Sequence, residues 1–441
     1  MSFSEWKEVT LAEISKGGKG NYGIAASAVE YSKDLLTYLR ITDISDDGTL
    51  NKEGLKSVDD ENAEKYLLKP NDIVFARTGN STGRSYFYDG SEGELVFAGF
   101  LIKFSLDQEK VNPKFMRYYT LSSDYRNWIS SFSTGSTRKN INAKTYAGMT
   151  INLPPRKQQD YLVNILSTLD EKIEINNQIN KNLEEMAQSI FKHWFVDFEF
   201  PNEEGKPYKS SGGEMVDSEI GMIPKGWEVK AIEETLDFVI GGDWGKEKQN
   251  DDFSQKTYCI RGADFPDLQN GNKADIPIRY VKENSFKKRN LIDGDIILEI
   301  SGGTKGRPTG RTIYIHKGMT NDYDNVLSFS NFCRVMRTNS VLDSKILYLH
   351  LQFLYDSGVM ETHQVQSTGI SNFQFKSFIA SEQVVIPDKG IQDKFSGIIE
   401  KLYQKRNTYE SHRLSLTRDT LLPKLMSGEI RVPLESESDA S

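Results

Sequence analysis

The stretch Leu153–Phe200, LPPRKQQDYLVNILSTLDEKIEINNQINKNLEEMAQSIFKHWFVDFEF, decides how the rest of the chain is read. From Arg156 to about Phe195 it contains neither proline nor glycine, and apolar residues recur at spacings of three and four, the period of one helix face. In heptad terms Leu162, Leu169, Asn176, Leu183 and Ile190 share one seam position; Ile165, Lys172, Ile179, Met186 and His193 share the other. About 40 helical residues span roughly 60 Å. That is longer than a small domain is wide, so the stripe needs a partner. A second stretch repeats the register, with Phe395, Leu402, Tyr409 and Leu416 on one position and Ile398, Lys405 and His412 on the other. The expectation is two long helices packed on each other, Asn176 being the polar residue best placed to fix register. The alternative is two separate helices, each packed on its own domain. His193 and His412 read as wet seam positions rather than ligands.

Outward from this helix, the chain repeats itself. LPPRKQQDYL (Leu153–Leu162) is matched by IPDKGIQDKF (Ile386–Phe395), and STGSTRKNI (Ser133–Ile141) by STGISNF (Ser367–Phe373). FAGFLIKF (Phe97–Phe104) returns as FSNFCRVM (Phe329–Met336), and NDIVFARTGN (Asn71–Asn80) as GDIILEISGG (Gly294–Gly303). TYLRITDI (Thr37–Ile44) returns as TYCIRGADF (Thr257–Phe265), keeping Arg40-x-x-Asp43 as Arg261-x-x-Asp264, and Trp6 aligns with Trp227. Six pairs in one order identify a domain-plus-helix unit used twice, with a period far too long for a solenoid. Before each helix the unit reads as short apolar strands running into Gly-rich loops, with a few helices. The fold class is therefore α+β: two pseudo-repeated globular domains joined by two long coiled-coil helices. Both cysteines fall opposite leucines, Cys259 against Leu39 and Cys333 against Leu101, which favours small apolar core residues. The stretch Pro201–Pro224, rich in Pro, Gly, Ser and acid, reads as a linker. The ending ESESDAS reads as a disordered acidic tail.

With 37% hydrophobic and 27% charged residues among 441, the composition is that of a globular protein of two or three domains. No apolar run approaches the roughly 18 residues of a spanning helix, and the start MSFSEWKEV carries no secretory pattern. A cytoplasmic location and no membrane contact are expected. Two cysteines exclude a disulfide framework and a Cys-rich zinc site. The net charge of −8 argues against a nucleic-acid partner until it is divided along the chain. Residues 1–150 carry 19 basic and 20 acidic side chains and residues 225–380 carry 20 of each, whereas residues 151–224 carry 7 against 13. The globular parts are near neutral.

Their basic residues cluster in loops that recur in both units. The first unit offers Arg77, Arg84, Thr134, Arg138, Lys139 and Asn140; the second offers Lys287, Lys288, Arg289, Lys305, Arg307 and Arg311, with Thr368 and Asn372 in the loop matching Ser133–Ile141. Arg and Lys beside small hydroxyl and amide residues suit phosphate and base-edge contacts. A solvated charged loop is the plainer reading of any one of them. Linear catalytic motifs are absent. Gly18-Lys-Gly20-Asn-Tyr-Gly23 has the spacing of a dinucleotide loop but no βαβ pattern after it, so a flexible loop is the better reading. The Gly302–Arg311 loop misses the P-loop pattern. Asn152-Leu-Pro-Pro155 lacks the order and the aromatic residue of the Asn-Pro-Pro-Tyr motif of amino-methyltransferases. The five histidines form no close metal-ligand pair.

The run Leu153–Phe200 resembles the central helical region of type I restriction–modification specificity subunits. GMIPKGWEVK (Gly221–Lys230) resembles the entry to their second target-recognition domain, and LLPKLMSGEIRV (Leu421–Val432) their C-terminal end. The resemblance implies target-recognition domains over residues 1–152 and 225–385, a central spacer helix over 153–200 and a linker over 201–224. A C-terminal spacer helix over 386–430, antiparallel to the first, and an acidic tail over 431–441 complete the expectation. It further implies a non-catalytic chain that reads double-stranded DNA at an asymmetric two-part site. Methyltransferase subunits, expected to be two, dock on the helices, and restriction subunits are possible. No metal and no cofactor are expected on this chain. The complex would use S-adenosylmethionine to methylate adenine, and ATP with Mg2+ for restriction. A coiled-coil scaffold whose globular domains bind protein is the rival reading, and an enzyme with an unrecognised site a second.

Overall fold

The computed structural model describes residues 6–52, 54–132, 140–303, 308–367, 370–406 and 408–430. Its contacts divide the chain into two compact units, residues 1–171 with 414–441 and residues 172–413.

In the first unit the strand Asp72–Ala76 is buried along its whole length, as its unbroken apolar run requires. It lies between antiparallel neighbours Ser85–Tyr88 and Leu101–Ser105, with Asn21–Tyr22 beyond the latter. A second four-stranded sheet pairs Leu36–Leu39 with Leu95–Phe97 in parallel. Lys7–Thr10 pairs antiparallel with Thr150–Leu153, tying the start of the domain to the point where the long helix departs.

The second unit repeats the central sheet, the parallel pair and the pairing at the helix start. Ile296–Glu299 lies between Thr312–Tyr314 and Cys333–Thr338, with Leu236–Gly241 beyond the latter. Gln255–Ile260 runs parallel to Leu327–Phe329, and Glu228–Ala231 pairs antiparallel with Gln383–Ile386. The repeated Arg-x-x-Asp is a turn lock. Asp43 accepts from the Arg40 backbone N–H at 2.8 Å and from its guanidinium at 2.9 and 2.6 Å. Asp264 does the same with Arg261 at 2.7, 3.1 and 2.7 Å. Gln159 and Gln392 are also twins. Each donates to a prolyl carbonyl five residues back, of Pro154 or Pro387, and accepts from the N-cap residue of another helix, Asn112 or Asp343.

The long helix, α1, spans Arg156–Phe191 and continues through one π-turn, Lys192–Val196. Its inward residues are Leu162, Leu166, Asn176, Asn180, Leu183, Ala187, Phe191 and Trp194, all buried. The seam at Leu162, Asn176 and Leu183 thus faces inward. The other position does so only at Ile165, which is half-buried against the first unit's core: Ile179 and Met186 are 37% and 50% exposed, and Lys172 and His193 are exposed. The inner stripe follows residues 166, 180, 187 and 194, one step beyond the expected positions. Two buried asparagines had blurred the apolar pattern, while outward Ile179 and Met186 had imitated it.

The C-terminal stretch is two helices rather than one: α2, Lys389–Gln404, and α3, Thr408–Met426. Arg406 lies at the interruption, its side chain buried against Glu184 and 4.2 Å from the Tyr403 ring centroid. The same one-step shift appears, since Phe395, Ile399 and Tyr403 are buried, Ile398 and Leu402 half-buried, and Lys405 exposed. Leu416 faces outward at 54% exposure, and the Tyr409 side chain lies outside the described residues.

Within the second unit Glu184 pairs with Arg406, and Asn176 donates to Glu410 at 2.9 Å, so α1 and the C-terminal stretch run antiparallel there. In the first unit Asp170 meets Arg418 at 3.0 Å, and Leu162 and Leu166 share a core with Leu422 and Leu425.

Residues 201–224 are folded rather than a loose tether. Phe200 stacks between Tyr208 and Trp227, at 4.5 and 4.7 Å, and Met215–Ser218 pairs with Gly221–Pro224. Aromatic burial outweighs the linker-like composition. Cys259 and Cys333 are free and buried, and burial pushes both thiols up to about 12. Among the described residues no helix is long and apolar enough to cross a membrane.

Candidate nucleic-acid interface

Each unit builds the same corner from different residues. In the first, Arg77 directly follows the central strand. Its N–H donates to the Phe100 carbonyl at 3.0 Å, and its carbonyl accepts from the Ile141 N–H at 2.9 Å. In the second, the central strand is followed directly by Ile300, which donates to the Phe332 carbonyl at 2.8 Å and accepts from the Phe373 N–H at 2.9 Å. Arg77 and Ile300 are therefore equivalent, and so are Phe100 and Phe332, and Asn140 and Asn372.

Phe100 and Phe332 are each the third residue of a tight turn. The turns Ala98–Leu101 and Ser330–Cys333 are closed by N–H to carbonyl bonds of 2.8 and 3.0 Å. The backbone behind each turn needs glycine. A Cβ on Gly23 would stand 2.2 Å from the Phe97 carbonyl oxygen, and one on Gly242 would stand 2.1 Å from that of Ser330. In the glycine-rich segment at residues 18–23, expected as a flexible loop, Asn21–Tyr22 is a short strand and Gly20 and Gly23 make close contacts.

Several expected residues meet at these corners. The Arg77 guanidinium stands 5.0 Å from the Tyr22 ring centroid, and its Nε donates to Asn140 Oδ1 across 3.4 Å. Asn140 is exposed and Tyr22 is 42% exposed. In the second unit Ser301 Oγ donates to Asn372 Oδ1 at 3.0 Å, and Asn372 is exposed. An exposed asparagine or arginine can donate to base edges and phosphates.

Other expected residues are held by the fold itself. Arg311 is buried, bidentate to Glu299 at 2.8 Å through both nitrogens and bonded to the Gly262 carbonyl at 2.7 Å. It is not available to DNA, because an unpaired buried carboxylate would cost more than any surface contact returns. Arg289 donates to the Gly241 carbonyl at 2.7 Å and to Ser285, which fixes the strand before Gly242. Arg84 staples the loop at Asp46 and Ile44. Lys287 pairs with Glu283 one helical turn away on an exposed surface. Thr134, Arg138, Lys139, Lys305, Arg307 and Thr368 lie outside the described residues.

Tyr22, Phe100, Ser301 and Phe332 were not foreseen. The signal lay in the repeat, which keeps phenylalanine at the fourth position of both FAGF and FSNF.

The histidines do not gather. His316 caps a helix by accepting from the Met319 N–H, and burial pushes it down to about 4. His350 is buried and likewise pushed down to about 4, and His363 meets Glu382 at 2.8 Å. Among the described residues no cluster of His, Cys, Asp or Glu suits a metal ion.

Residues 3–185 match the family described as the type I restriction modification DNA specificity domain. Over that span the chain is similar to the type I restriction specificity subunits. It is 21% identical to the HindI specificity subunit of Haemophilus influenzae over 97% of this chain and all of that one. It is 26% identical to the MjaIX specificity subunit of Methanocaldococcus jannaschii over 74% and 71% of the two chains. In fold the chain is similar to the crystal structure of a type I restriction-modification S subunit from M. genitalium. The TM-score is 0.50 at 17% identity, over 95% of this chain and 96% of that one.

Proposed function

We propose that this chain is a specificity subunit that reads a two-part DNA site, one part through each repeated unit, and carries methyltransferase subunits on its long helices. The observation that carries the reading is the repeated corner: a strand end pinned on both sides, an exposed asparagine and an exposed phenylalanine, built twice. The two corners present different neighbours, Arg77 and Tyr22 in one and Ser301 in the other, so the two parts of the site differ in sequence. The chain itself performs no chemistry in this reading. Adenine methylation with S-adenosylmethionine belongs to its partners, which also supply much of the charge that neutralises phosphate around near-neutral readers.

An outward apolar ridge on α1, Ile175, Ile179 and Met186, at 55%, 37% and 50% exposure, supports docking of those subunits. Coexpression with the methyltransferase subunits tests both parts of the reading. The purified complex is expected to protect duplex DNA at defined sequences, and Ile179→Asp with Met186→Asp to lose the partner while keeping its fold. Absence of sequence-dependent protection would instead favour the protein-binding scaffold.

A further inference from the structure

We infer that Phe100 and Phe332 contact bases directly, each ring packing on a base face opened at one step of the part its unit reads. The inference rests on the specificity reading and adds to it a pair of residues and a mode of contact.

Single exposed apolar residues are ordinary on protein surfaces, so exposure alone means little. Three observations together mean more. The rings occupy equivalent places in two units that differ at other corner positions: Arg77 answers to Ile300, and Tyr22 to Gly241 by its pairing beside the 101–105 and 333–338 strands. Each is 59% or 53% exposed although its backbone is fixed by a closed turn and by a hydrogen bond from the central strand. A ring held out by a pinned backbone loses little conformational freedom on binding. Each stands at the corner that also carries an exposed asparagine, the side chain suited to a base edge.

Rigid aromatic rings stack on any base that is locally unstacked, and apolar wedges at base steps are a recurrent way to contact opened duplex. The asparagines then supply sequence discrimination while the rings supply affinity. Phosphate contacts remain with the basic loops.

The test uses the complex with its methyltransferase subunits on a duplex carrying its mapped site, with 2-aminopurine substituted position by position. Wild type is expected to raise 2-aminopurine fluorescence at one step in each part. Phe100→Ala should abolish the rise in one part only and Phe332→Ala in the other. Each should weaken binding by about 5- to 150-fold, the usual loss for one base–aromatic stack. The slope of affinity against salt should not change, since no phosphate contact is removed. Thermal unfolding should match wild type, and Phe→Trp at either position should restore binding. Wild-type affinity in both alanine variants overturns the inference. So does a variant that sheds its methyltransferase subunits, which would assign the ring to a protein interface. A wild-type complex with no sequence preference at all would instead remove the specificity reading beneath it.

Discussion

Inserting one heptad into α1 alone, between Glu174 and Ile175, is expected to reduce binding of the assembled complex to its site by about 100-fold or more. The inserted turns add roughly 10 Å to one helix and nothing to its antiparallel neighbour. On one side of the insertion Asp170 meets Arg418, and Tyr118 donates to Asp170 at 2.9 Å. On the other, Asn176 meets Glu410 and Glu184 meets Arg406. One α1 cannot keep both sets against unshifted partners. If the helices set the distance between two readers, both can no longer engage one duplex together, and the avidity gained from linkage, typically 100- to 10,000-fold, disappears. Binding measured across duplexes of stepped gap length checks this. Unchanged affinity and unchanged gap preference would sink the spacer idea.

Arg311→Ala is expected to destabilise the second unit by about 3–5 kcal/mol, the usual result of stranding one partner of a buried ion pair. Glu299 and Arg311 have side chains only 3% and 7% exposed, so solvent screens little of the loss. The Gly262 carbonyl also loses its guanidinium, beside the Arg261–Asp264 lock. For a unit of this size that corresponds to a fall in unfolding midpoint of about 6–20 °C. Replacing both partners, as in Glu299→Leu with Arg311→Met, should recover much of the loss because no charge is left stranded. Calorimetry decides the matter. A midpoint unchanged by Arg311→Ala, with DNA binding lost, would return Arg311 to the interface.

Repetition made the architecture legible from the residues. Arg40-x-x-Asp43 and Arg261-x-x-Asp264 matched because each aspartate locks the same turn, and Gln159 matched Gln392 because each bridges the same two backbone groups. Glycine-free length made α1 visible as a helix. Its register was harder to read. Asn176 and Asn180 are fully buried, so the inner face is not the most apolar one, and Ile175, Ile179 and Met186 place apolar weight outside. The interruption at Arg406 was hidden too, since neither proline nor glycine marks it and the ion pair made there with Glu184 is tertiary.

Basic side chains alone did not identify the interface. Arg311, Arg289 and Arg84 look like Arg77 in sequence, yet the first is buried against a carboxylate and the others brace backbone carbonyls. A guanidinium serves a loop as readily as a phosphate, and only the fold tells which. Phe100 and Phe332 escaped notice for the opposite reason: a phenylalanine beside apolar strands is ordinarily core.

Mapping methylated adenines across a genome after coexpression with the methyltransferase subunits tests the central claim most directly. Two unlike recognition sequences at a fixed gap are the predicted result, with exchange of residues 225–385 for the matching residues of a relative altering one part and leaving the other. A single uninterrupted motif, or no motif at all, would contradict the account of two readers on one spacer.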